Sequence, residues 1–178
     1  MKTNFTVLVA FLLSMTILPA AQQSKSERPS PPANAECRFS SGKTIKVAYS
    51  SPRAKGRKIF GDLVPYGKVW RTGANEATSF VTDTDLTAGG KDIPAGNYTI
   101  FTIPAADKWT LIINKKTGQW GIPYKYESDE LARLDMSTSK TSAPVENFTI
   151  AFDQQGNTCT MRLEWENTRA QVDFREKK

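Results

Sequence analysis

The sequence predicts an all-β protein, an antiparallel β-sandwich (jelly-roll-like) of roughly eight to ten strands. Three observations carry this. Apolar residues alternate with polar ones over short runs, turn residues punctuate those runs, and no stretch keeps the 3.6-residue period of an amphipathic helix.

Taken in order, residues 1–21 have the form of a secretory signal: Lys2, an apolar run from Phe5 to Ile17, and a small-residue end at Leu18–Pro19–Ala20–Ala21. The run is shorter than the ~20 residues a transmembrane helix needs. The expectation is an exported protein, periplasmic or secreted, without a membrane span once processed. Residues 22–35 are polar and carry Pro29, Pro31 and Pro32, and they read as a flexible leader. Residues 36–178 then form a single domain. Cys37 and Phe39 open it, and Ile45, Val47 and Tyr49 alternate in the next strand up to Ser50–Ser51–Pro52.

Residues 53–67, with Gly56, Gly61, Pro65 and Gly67, read as loop with a helical turn around Ile59–Val64. Val69 and Trp70 begin a short strand or anchoring segment, and Thr78 to Val81 is β-branched and aromatic. Leu86 to Lys91 enters a turn at Gly89–Gly90, and Tyr98 to Ile103 is a strong strand. Trp109, Leu111 and Ile113 share one face of the next, with Ile112 on the reverse. Asn114 to Gly118 turns the chain into an aromatic, charged loop over 119–130. Leu131–Met136, Phe148–Phe152, Cys159–Trp165 and Ala170–Phe174 complete the series, with a hairpin turn at Asp153–Asn157.

Composition excludes more chemistry than it selects. The chain has no histidine, so Ser-His-Asp and Cys-His catalysis and His-ligated metals cannot be built. Ser40-x-x-Lys43, Ser137-x-x-Lys140 and Lys116–Thr117–Gly118 match serine–lysine enzyme motifs only by chance, since none lies in the required helix or strand context. The formal charge is +6, or +5 without Lys2, and the positive residues are dispersed. That suits an anionic envelope component and not nucleic acid. Cys37 and Cys159, the only cysteines, read as a disulfide in an oxidising compartment. No cofactor and no metal is implied.

The organising stretch is Ser51 to Val81. Its basic front holds Arg53, Lys55, Arg57 and Lys58; Arg57 stands out because it precedes the apolar Ile59–Phe60. The knot Arg71–Thr72–Gly73–Ala74–Asn75–Glu76 follows Trp70, with Gly73 for a sharp turn and Asn75 tolerant of positive φ. Arg57, Trp70, Arg71, Asn75 and Glu76 are therefore the candidate ligand-binding residues, for a glycan or other polar anionic ligand. The competing structural reading pairs Arg71 with Glu76 as a clamp across the turn. A third reading is a histidine-free hydrolase or lyase that uses Glu76 with Asp62 or Asp83. Asp83-x-Asp85 would also share one strand face, where a cation could sit if other oxygens joined.

Gly56–Arg57–Lys58–Ile59–Phe60–Gly61, Leu63–Val64–Pro65–Tyr66–Gly67 and the run Trp70–Arg71–Thr72–Gly73–Ala74–Asn75–Glu76–Ala77–Thr78 resemble the signature of the domain-of-unknown-function family 2911. Ile93–Pro94–Ala95–Gly96-x-Tyr98, Phe101-x-Ile103–Pro104 and Trp120–Gly121 are similar to its later motifs. The resemblance covers roughly Thr44 to Phe174 and implies an exported bacterial protein. It brings no activity with it.

Overall fold

The computed structural model describes residues 24–177, so the expected signal at 1–21 lies outside the described residues. Nine strands run β1 (Pro32–Arg38), β2 (Thr44–Ser50), β3 (Thr78–Thr82), β4 (Leu86–Ala88), β5 (Lys91–Ile93), β6 (Gly96–Ile103), β7 (Lys108–Asn114), β8 (Glu130–Gln155) and β9 (Thr158–Glu176). Two single 3-10 turns, Lys25–Glu27 and Glu127–Asp129, are the helical elements among the described residues.

The class is all-β and antiparallel, as expected. The nine strands form one hydrogen-bonded sheet in the order β1-β2-β3-β6-β7-β8-β9-β4-β5, which is not closed. The sheet curls strongly enough to bring its distant members together. Cys37 on β1 is bonded to Cys159 on β9, with Cα atoms 6.2 Å apart. The chain after β2 also bridges β8 at Arg53 and Asn147, where Ala54 N–H donates to the Glu146 carbonyl.

The expected late strands fuse. Leu131–Met136 and Phe148–Phe152 are parts of β8, and Cys159–Trp165 and Ala170–Phe174 are parts of β9. The polar middle of β8, Ser137 to Asn147, lacks a continuous apolar row, yet its backbone still pairs with β9. Register shifts around Val145, opposite Glu166 at φ 54°, mark where this ribbon breaks its regular ladder. The helical turn expected at Ile59–Val64 is a tight non-helical turn, closed by Val64 N–H to the Ile59 carbonyl and by a Phe60–Val64 bridge.

Pro32 to Ala35, expected in the flexible leader, belong to β1. The strand is paired with β2 from Pro32↔Ser50 onward, and Ala33, Ala35 and Cys37 form its more buried row. Small alanines give little sequence signal for a strand, but the ladder satisfies their backbone.

One face of the sheet lines the main core. Ile45, Val47, Phe80, Ile100, Leu111, Ile113, Leu134 and Met136 are buried there, with Trp109, Phe148 and Trp165 at one end. The opposite face of β6–β7 carries Phe101 and Ile112, both fully buried, and the loop at 115–129 lays Tyr124 and Tyr126 against Phe101. Tyr124 packs edge-on to Phe101 at 4.8 Å, and the Asn114 amide donates to the Tyr126 carbonyl at 2.8 Å.

Candidate functional site

The loop at 70–78 lies where β3 approaches β6 and is fixed at both ends by the backbone. Trp70 and Thr102 exchange N–H···O bonds of 2.8 and 2.9 Å, and Thr78 N–H donates to the Arg71 carbonyl. Thr78 Oγ1 donates to the Thr72 carbonyl at 2.7 Å, and the Thr72 and Thr102 hydroxyls meet at 3.2 Å. Gly73 is required by close approach: a Cβ there would stand 2.9 Å from the Ser50 carbonyl oxygen. Thr72 (φ 56°) and Asn75 (φ 57°) both occupy the left-handed region. A β-branched residue is strained there, and the surrounding bonds hold Thr72 in place.

The five candidate residues point to different surroundings. Trp70 is half-buried in an aromatic cluster, 4.8 Å from Phe148 and stacked 6.0 Å from Trp165, while its Nε1 donates to the Gly73 carbonyl at 3.0 Å. Arg71 donates through Nη1 to the Asn75 carbonyl and lays its guanidinium 5.1 Å over the Trp120 ring. Partial burial pushes the Arg71 pKa down from its ordinary value. Asn75 donates from Nδ2 to the Ser30 carbonyl at 3.1 Å. Glu76 accepts two 2.9 Å bonds from Arg28 Nη1, with Lys25 Nζ at 3.7 Å. Arg57 is exposed and folds onto its own turn, donating to the Ala54 and Arg53 carbonyls.

The clamp expected between Arg71 and Glu76 is therefore not the pairing that forms. Among the described residues Glu76 pairs with Arg28 and Lys25, while Arg71 caps the turn through a backbone oxygen. Asn75 in the left-handed region reverses the chain between them, so the two side chains leave the turn toward separate partners.

The Glu76–Asp83 carboxylate pair and the Asp83-x-Asp85 cation site do not assemble either. β3 alone separates Glu76 from Asp83, and its five residues at ~3.3 Å each place the two well beyond the ~5–9.5 Å that paired glycosidase carboxylates span. Asp83 accepts from Thr44 N–H at 2.6 Å and from the Thr44 hydroxyl at 3.1 Å, which holds its pKa below the usual range. Asp85 instead accepts from Ala95 N–H at 2.8 Å, so the Asp83-x-Asp85 pair caps two different turns. Asp62 sits exposed in the Ile59–Val64 turn. No group of three or more acidic or cysteine residues placed to hold a metal occurs among the described residues.

Sequence reasoning missed three contributors, Trp120, Arg28 and Lys25. Trp120 is 56% exposed, and its neighbour Gly121 packs so closely that a Cβ would meet Ala77 at 2.9 Å and Phe101 at 3.1 Å. The aromatic content of 119–130 was the available signal. Arg28 and Lys25 lay in the segment read as leader, and nothing in that segment marks Glu76, 48 residues on from Arg28, as its partner.

A pH dependence follows from the Arg28 contact. The Arg28 hydrogen bonds hold the Glu76 pKa below its ordinary 4.5. A depressed carboxylate pKa means the docking contribution is full above that ordinary value and is lost as pH falls through the depressed one. Residues 24–31 are expected to gain fast backbone motion in ¹⁵N relaxation measurements as pH falls from above 4.5 through that depressed value, and Glu76→Gln is expected to show that motion already at about pH 7. Unchanged order parameters across this range would refute the contact's role.

Compared with known families, residues 30–174 match the model described as "Protein of unknown function (DUF2911)", and the chain belongs to that family. No match is found among curated proteins or among solved structures. No helix among the described residues is long and apolar enough to cross a membrane.

Proposed function

Proceeding from membership in a family without an assigned activity, we propose that the protein is an exported, non-catalytic module that binds a polar anionic ligand, an acidic glycan foremost, at the Trp70–Glu76 loop. The observation that carries this reading is the Arg71 guanidinium over the exposed Trp120 ring. An aromatic face stacks on the apolar side of a sugar, and a guanidinium beside it can take a carboxylate or sulfate. Arg71 uses Nη1 for the Asn75 carbonyl, and its other nitrogens donate to no group among the described residues. The positive formal charge favours the same ligand class. The disulfide supports an oxidising compartment, periplasmic or extracellular. Trp70 acts from beneath as the anchor that fixes where Arg71 starts.

The competing structural role draws on a different observation: the polar atoms of the loop are largely engaged within the protein. Thermal-shift and calorimetric titrations with oligogalacturonate and with its neutral counterpart separate the two. Stabilisation by the acidic oligomer alone is expected, because a ligand that binds only the folded state raises Tm. Trp120→Ala is expected to weaken that binding about tenfold, the scale of one exposed stacking or cation–π contact. Equal binding by wild type and Trp120→Ala, or stabilisation by neither sugar, would favour the structural role.

A further inference from the structure

The segment preceding β1 is held by recognition contacts rather than by burial. From Ser24 to Pro31 no residue is buried. Its attachments include the Arg28–Glu76 pair with Lys25 beside it, the Asn75 amide on the Ser30 carbonyl, and Ser51 N–H donating to the Pro31 carbonyl at 2.9 Å. Glu76 thus engages an arginine side chain, and Asn75 and Ser51 engage successive peptide carbonyls of the same segment.

We propose that the surface formed by Ala48, the Ser51 backbone N–H, Asn75 and Glu76 is a docking site for an arginine-bearing, proline-rich peptide segment of another protein. Residues 25–31 of this chain, Lys-Ser-Glu-Arg-Pro-Ser-Pro, are its resident and displaceable occupant.

Three features support exchange over permanent attachment. The occupant leaves a cavity of about 220 Å³ unfilled, lined by Arg28 and Pro32 above and by Ala48, Tyr49, Glu76 and Ala77 below. The Glu76 side chain keeps 43% exposure inside the pair, and exposed ion pairs of this kind contribute only ~0–1 kcal/mol. Prolines fix φ before binding, so the segment and any peptide like it lose little conformational freedom on docking. The left-handed Asn75 keeps the Asn75 amide and the Glu76 carboxylate turned to the segment rather than to Arg71. Tethering gives the resident segment an effective concentration on the order of millimolar, so a competing peptide succeeds when it fills the cavity the resident leaves open or when the resident is weakened.

The test uses a fluorescein-labelled peptide with the sequence of residues 25–31 and fluorescence anisotropy on the purified protein. Arg28→Ala vacates the arginine position without touching the receiving surface. The Arg28→Ala protein is expected to bind the peptide severalfold, up to about fivefold, more tightly than wild type does. Glu76→Gln in that background is expected to weaken binding by a similar factor, and so is an alanine in place of the arginine in the peptide. The peptide substitution reports on the same contact even if the double variant folds poorly. Failure of the Arg28→Ala protein to bind the peptide, or binding indifferent to the peptide's arginine, would overturn the proposal. Concentration-dependent dimerisation of the wild-type protein that Arg28→Ala abolishes would overturn the heterologous partner in favour of segment exchange between two copies.

Discussion

Replacing both cysteines, Cys37→Ala with Cys159→Ala, is expected to lower the stability of the domain by about 3–5 kcal/mol, with Tm falling by roughly 10 °C or more. The bond spans a sequence separation of 122 residues, so it removes a large loop-closure entropy from the unfolded chain. Its place in the fold adds a second reason. β1 is an edge strand whose ladder runs to β2 alone, and β9 lies six places away in the sheet order. The disulfide therefore ties the free edge across the curl to the long β8–β9 ribbon. Alanine is the better substitution because both positions are buried, and a serine hydroxyl there would add a desolvation cost unrelated to the cross-link. Urea unfolding of the double variant and of reduced wild type is expected to give matching midpoints, both below that of the oxidised protein. A loss under about 1 kcal/mol would mean that β1 is held by its ladder and core contacts without the bond.

How much of this was legible in the sequence depends on the range of the interaction. Strand identity is local, and the alternations Ile45–Val47–Tyr49 and Trp109–Leu111–Ile113 emerge as β2 and β7 with those rows in the core. The reversed Ile112 was equally local, yet its cover was not, since the ring of Tyr124 reaches the same face only after the 115–129 loop folds back. The disulfide could be read because the chain offers one possible pair. The joining of all strands into one sheet could not, because it rests on which edges meet. β4 pairs with the end of β9 through Leu86↔Glu176, a partner ninety residues on.

The binding loop shows the same division. Gly73 and Asn75 announce a sharp turn, and both serve one. Arg71 and Glu76 lie close in sequence with opposite charges, which makes a pair the natural local expectation. The structure resolves each by a non-local partner instead: Trp120 under the guanidinium, and Arg28 from a segment whose composition reads as structureless. A polar, proline-rich stretch cannot form a core, but it can be ordered by a receiving surface, and its own composition carries no record of that surface.

The two exposed-looking tryptophans of the site region are expected to behave oppositely, and the contrast decides what the loop is for. Trp70→Ala is expected to cost about 3–4 kcal/mol, toward the lower end of the range for aromatic-to-alanine truncation because the ring is only half-buried. Its contacts explain the size of the effect. Phe60 comes from the turn after β2, Trp109 from β7, Phe148 from β8 and Trp165 from β9, and all four rings lie within 6.4 Å of the Trp70 ring centre. One side chain thus joins the loop to three strands of the sheet. Trp70→Phe keeps most of that packing and leaves the Gly73 carbonyl without its indole donor, so a smaller loss of about 1–2 kcal/mol is expected. Trp120→Ala removes an exposed ring and is expected to change stability by no more than about 0.5 kcal/mol. Chemical denaturation of the three variants, read beside their affinity for the acidic oligosaccharide, gives the result. If Trp70→Ala folds as stably as wild type and loses ligand, Trp70 is itself the stacking surface and the anchor assignment fails. If it destabilises while Trp120→Ala loses ligand at unchanged stability, the loop is a rigid support that holds Arg71 against an outward-facing aromatic platform.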